Sequence, residues 1–242
     1  MKVRQNPINK PFNSKQVDVV LCNNPSFLKK YNIASCLHSN GTLIINCSYS
    51  AKELNTVMLN EIKAEITDKN LNVYTINADK IALSNNLGNK INNIMQTALF
   101  CATNVLPYEQ AIEQIKHNIE VMFSKKGDDV VKNNIKAIMA VQKALKQIDI
   151  STLIQTEQPL VAEKTEYYEQ VISPIMKQKG NDVPVSKFKA DGSMPSDTAK
   201  FEKRGVASEI PCWHAESCIQ CGRCSVVCPH ASFRPIIFDK TE

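Results

Sequence analysis

Apolar and polar positions along the first 150 residues fall into two kinds of pattern. Residues 17–21, 42–47 and 72–76 are short apolar runs that read as buried strands, the second preceded by Asn40-Gly41 as a turn. Between the second and third runs, Ser50 and Glu53 form a capping box. Leu54, Met58, Ile62 and Ile66 then recur at four-residue spacing, which predicts one helix. Residues 25–34 predict a shorter helix between the first two strands. Strands separated by helices need crossover connections, so the expected fold class is α/β with a mostly parallel sheet.

Helical periodicity takes over next. Residues 90–105 predict a helix with Ile91, Ile94, Met95, Ala98 and Leu99 on its apolar face. Pro107 suits a first helical position, and Ile112, Ile115, Ile119 and Met122 follow on one face. Gly127 breaks that helix and Asp128 can cap another, along which Val131, Ile135, Ile138, Val141, Leu145 and Ile148 form a stripe. Two such helices joined by residues 124–127 predict an antiparallel hairpin whose apolar faces are core. From 151 to 200 the periodicity is lost and Pro159, Pro174, Pro184 and Pro195 punctuate a polar stretch. This reads as an extended linker with helical pieces near residues 161–171.

Composition narrows the function. The chain has 242 residues, 43% hydrophobic and 22% charged, the balance of a folded globular protein. Seven glycines supply no phosphate-cradling motif, and no apolar run approaches the roughly 18 residues of a membrane span. The first sixteen residues lack an apolar secretory region, and the net charge of +5 is too diffuse for a nucleic-acid binder. Expected partners therefore include no membrane and no nucleic acid.

Nine cysteines carry the candidate chemistry. Cys22, Cys36, Cys47 and Cys101 are scattered among apolar segments and read as small hydrophobes. Cys212, Cys218, Cys221, Cys224 and Cys228 crowd near the C-terminus, and without a secretory signal clustered thiols read as metal ligands in a reducing compartment. Cys218 to Pro229 spell C-x2-C-x2-C-x3-C-P, the spacing of bacterial ferredoxins. Three thiolates at three-residue intervals can reach three corners of one 4Fe-4S cubane, Gly222 leaves backbone N–H groups free to approach it, and Pro229 turns the chain away. Zinc sites instead pair two C-x2-C knuckles, or a knuckle and two histidines, across a spacer of a dozen or more residues. Cys218, Cys221, Cys224 and Cys228 are thus the expected metal and cofactor ligands, with no catalytic residue among them. Cys212 reads as filler beside Trp213, His214 and His230 as solvated, and Asp191-Gly192-Ser193 as a turn.

The chain resembles the pyruvate:ferredoxin (flavodoxin) oxidoreductase family. Asn24-Pro25-Ser26-Phe27-Leu28 with Tyr31, Gly41-Thr42-Leu43, Asn77-Ala78-Asp79-Lys80, Met95-Gln96-Thr97-Ala98, Val105-Leu106-Pro107, Glu109-Gln110-Ala111-Ile112 and Lys125-Lys126-Gly127 with Val130-Val131 and Asn134 resemble its gamma-type domain. Residues 201–207 resemble its EKR segment and residues 211–229 its first ferredoxin motif. Cys212 departs from the polar residue more often found before the tryptophan. The resemblance implies a gamma-type α/β domain over 1–150 that begins partway through, a linker with the EKR segment over 151–210 and a partial 4Fe-4S domain over 211–242. It implies an electron-relay part of an enzyme that oxidatively decarboxylates pyruvate to acetyl-CoA, with thiamine diphosphate and coenzyme A held elsewhere. Implied partners are the enzyme's remaining domains or subunits and ferredoxin or flavodoxin, with a dimer for the complete enzyme. The implied location is the cytoplasm, or an organelle in an anaerobic eukaryote. Cys228 would ligate a second cluster in a two-cluster arrangement, and the chain alone is expected to be inactive. A stand-alone iron–sulfur module and an inactive truncated product are the alternatives.

Overall fold

The computed structural model describes residues 16–103, 105–155, 165–177, 179–196, 198–201 and 210–236. The chain divides into two compact units, Met1–Val206 and Ala207–Glu242. In the first, strands β1 (Val17–Cys22), β2 (Leu37–Asn46), β3 (Asn72–Ile76) and β4 (Lys146–Ile148) form a sheet in the order β1-β2-β3-β4. The β1–β2 and β2–β3 pairs are parallel and β4 runs antiparallel to β3. The mostly parallel α/β sheet read from the sequence is therefore the observed one.

The helices are α1 (Ala51–Val57), α2 (Asn60–Asp68), α3 (Ala78–Ser84), α4 (Asn92–Ala102), α5 (Tyr108–Phe123) and α6 (Asp128–Ala144). They cover both faces of the sheet. On one face, Ile44 and Ile76 meet α3 to α6 through residues such as Ile94, Ile115 and Ile138. On the other, Leu43, Ile45 and Val73 meet Leu54, Met58, Ile62 and Ile66 of the α1–α2 region. A parallel strand buried on both sides has no polar face, which is why residues 43–45 read as an unbroken apolar run.

Four sequence expectations are corrected. The predicted helix after Ser50 is two helices, because Met58 is extended (φ −76°, ψ 136°) and Leu59 donates its N–H to the Leu28 carbonyl at 3.1 Å. The capping box itself forms, and all four apolar residues are buried. Asn40-Gly41 does not precede β2 but lies inside it: Asn40 is left-handed (φ 59°) and the β1–β2 register shifts there. The stripe ending at Ile148 stops as a helix at Ala144, and Ile148 sits in β4 opposite Val73. Met122, placed on an apolar face, is exposed, whereas Ile112, Ile115 and Ile119 are buried.

The segment after β4 folds back on the unit. Leu153 is buried among the α1–α2 residues, and the Lys63 ammonium, almost fully buried on α2, donates to the Ile154 carbonyl at 3.0 Å. Burial lowers the Lys63 pKa. Farther on, a π-helical turn at Tyr168–Ile172 runs into α7 (Ser173–Met176), burying Val171 and Ile172. Pro174 lies inside this helix instead of ending it, since the first turn of α7 needs no N–H from it. Residues 161–164, the start of the stretch read as helical pieces, lie outside the described residues.

Candidate metal centre

The second unit is built around the cysteine loop. A 3-10 turn at Ala215–Ser217 delivers Cys218, and the five-residue helix α8 (Arg223–Val227) carries Cys224 before Cys228. Gln220 (φ 56°) and Gly222 (φ 70°) are both left-handed and flank Cys221. Glycine takes that conformation without penalty, as Gly222 does, whereas Gln220 adopts it as a non-glycine residue.

The thiols of the two units differ in character. Burial pushes the Cys22 thiol up to about 11 and raises those of Cys47 and Cys101. These three therefore stay neutral, as expected of small hydrophobes. In the second unit the Trp213 indole N–H and the Gln220 amide lower the Cys218 thiol. The Ser232 amide, donating to Cys228 Sγ at 3.3 Å, leads the groups that lower Cys228 to about 7. A thiolate is the form that binds metal.

Cys212, Cys218, Cys221 and Cys224 are exposed and Cys228 is half-buried. Among the described residues, no three histidine, cysteine, aspartate or glutamate side chains converge tightly enough to hold a metal ion. The fit to an iron–sulfur group therefore rests on donor chemistry: four accessible thiols within eleven residues, two of them biased toward thiolate. His214 and His230 are exposed, and Asp191-Gly192-Ser193 is a turn closed by the Ser193 N–H on Asp191 Oδ1 at 2.9 Å. Trp213 is also exposed, with its indole turned to the Cys218 thiol; nothing in its spacing signals that contact.

Residues 1–144 match the model of the pyruvate ferredoxin/flavodoxin oxidoreductases. The chain belongs to that family. Residues 155–207 match the EKR domain, a domain of unknown function, and residues 211–234 a 4Fe-4S binding domain. The cofactor of the second unit is accordingly an iron–sulfur cluster. The chain is 38% identical over 241 residues to the pyruvate:ferredoxin oxidoreductase of Moorella thermoacetica, covering 98% of this chain and 21% of that protein. It is 33% identical over 247 residues to the pyruvate-flavodoxin oxidoreductase of a Nostoc species, with the same coverage of each. A solved pyruvate oxidoreductase subunit of Thermotoga maritima aligns over 56% of this chain and 67% of that one, at 22% identity and a TM-score of 0.45. The family member described here spans about a fifth of the length of these curated relatives. Among the described residues no helix is long and apolar enough to cross a membrane.

Proposed function

We propose that this chain is the electron-relay segment of a cytoplasmic enzyme that oxidises pyruvate to acetyl-CoA and passes the electrons to ferredoxin or flavodoxin. Cys218, Cys221, Cys224 and Cys228 hold the cluster, which when bound supplies one-electron transfer. The α/β domain over 1–150 and the EKR-containing segment over 151–210 connect this relay to the domains that carry thiamine diphosphate and coenzyme A. The complete enzyme is a dimer, and this chain alone does not turn over substrate.

One observation carries the reading: none of residues 210–236 is buried, yet four thiols stand among them at ferredoxin spacing. A segment with no apolar core of its own gains its stability from what its ligands bind. The chain's residues have separable tasks. Trp213 and Ser232 donate hydrogen bonds to ligand sulfurs and so favour their charged form. Gly222 lets the loop turn close against the group it holds.

The test is anaerobic reconstitution with iron and sulfide, followed by metal analysis and low-temperature paramagnetic resonance of the reduced chain. Iron and sulfide in cubane proportion with a reduced-cluster signal are expected, and Cys218→Ser, Cys221→Ser or Cys224→Ser should each remove most of the iron. Zinc in place of iron, or colourless protein after reconstitution, overturns the assignment.

A further inference from the structure

Outside the cysteine loop, a second polar surface lies on the α3–α6 side of the sheet. Lys132, Lys136, Met139 and Lys143 recur at i, i+4, i+7 and i+11 along α6, so they share one face, and all four are exposed. Asp128 and Asp129 close this stripe at the helix N-terminus. At its other end a cavity of about 590 Å³ opens where β2 and β3 finish. Lys80 of α3 and Lys146 of β4 line it, with Ser48, Asn77 and Ser84 beside them and, among the described residues, no acidic one in its wall. Asp79, the nearest carboxylate in sequence, accepts a hydrogen bond from the buried Asn46 side chain at 2.9 Å. The same Asn46 accepts from the Ala78 N–H and donates to the Asn23 carbonyl, which fixes the α3 end of the cavity. Leu83, 67% exposed on α3, adds an apolar residue next to Lys80 and Ser84.

We propose that this α3–α6 face docks a carboxylate-bearing protein segment from another domain of the same enzyme, with one acidic side chain seated between Lys80 and Lys146. The assignment to another domain rests on the electron-relay reading above. Its physical support is independent of that reading: Lys132, Lys136 and Lys143 share an exposed helix face with Met139, and the cavity beyond them is lined by Lys80 and Lys146 with no acidic residue among its described lining. Apolar anchors inside a charged rim are the anatomy of a protein interface. A phosphate backbone would leave Leu83 and Met139 in water, and no arginine stands on the face to grip phosphates in pairs. The chain spans about a fifth of its relatives, so the rest of such an enzyme has to meet this domain on some surface. A second copy of this face is excluded as the occupant by charge repulsion.

The first test uses the intact chain and a sixteen-residue peptide alternating glutamate and leucine. A glutamine-for-glutamate peptide, a duplex DNA of similar length and phosphatidylglycerol vesicles serve as competitors. Binding of the acidic peptide should shift the resonances of α3, α6 and β4. The pair K136E/K143E should weaken it about tenfold or more, and Leu83→Ser and Met139→Ser severalfold without changing the charge. Equal loss for a charge reversal elsewhere, such as K52E on α1, or tighter binding of DNA or vesicles through the same lysines, overturns the proposal. The second test replaces the matched segment of the Moorella thermoacetica enzyme by this chain and measures acetylation of each lysine by mass spectrometry. Lys80, Lys136, Lys143 and Lys146 should label at least about tenfold more slowly than in the free chain while Lys52 and Lys90 are unchanged. Unchanged labelling of all six in an assembled chimaera sinks the proposal, and if no chimaera assembles the peptide result decides. Iron content, measured in parallel, reports on the electron-relay reading separately.

Discussion

The cysteines show most directly how one residue type divides by environment. Cys22 and Cys47 close the carboxyl ends of neighbouring parallel strands and are buried, whereas Cys212, Cys218, Cys221 and Cys224 stand in water. In the metal-free folded chain, alkylation at pH 7 should label the second unit first and reach Cys22 and Cys47 only after denaturant is added, as mass spectrometry of the peptides would show. Raising the pH should speed Cys22 labelling about tenfold per unit up to its pKa near 11. Burial raises this pKa above its ordinary value of 9.0, so the neutral thiol's contribution to stability is complete below pH 9 and is lost as the pH rises through 11. The candidate ligand set could be proposed from the sequence because metal-binding spacing is a local property of the chain. The buried Lys63 and Asn46 could not: each is an ordinary polar residue whose partners lie 91 and 33 residues away.

At the scale of elements, the sequence predicted three parallel strands and the antiparallel helix pair, because strong apolar periodicity survives any tertiary context. It missed β4, three residues whose identity as a strand comes only from pairing with β3. It also merged α1 and α2, since spacing alone cannot show that the Leu28 carbonyl captures the Leu59 N–H and interrupts the helical ladder. Gly41 is the most informative single position. A Cβ there would come within 2.8 Å of the His38 carbonyl oxygen and 3.1 Å of that of Asp18, both backbone atoms that cannot step aside. Gly41→Ala should therefore destabilise the α/β unit by about 2 kcal/mol in urea unfolding, with the loss traced to the β1–β2 edge by hydrogen exchange.

On the scale of the whole molecule, the two units have different sources of order. Both core clusters are assembled from residues no later than Leu153, and no residue of the cysteine loop belongs to either. Removing iron with a chelator should leave the thermal midpoint of the α/β unit unchanged to within about 1 °C in circular dichroism, a shift smaller than the loss of any one core contact produces. A fall of several degrees would mean that the cluster stabilises the α/β core. The crowding of thiols from Cys212 onward is the sequence signal that falls within the second unit, Ala207–Glu242.

The open setting of the cysteine loop has a practical consequence for anyone handling the protein. Oxygen and peroxide attack accessible thiolates first and climb from sulfenic to sulfonic acid there, while Cys22 and Cys47 sit behind packed side chains. A preparation left on the bench can thus bleach and lose every trace of redox activity while its spectrum of secondary structure, its melting curve and its elution volume stay those of fresh material.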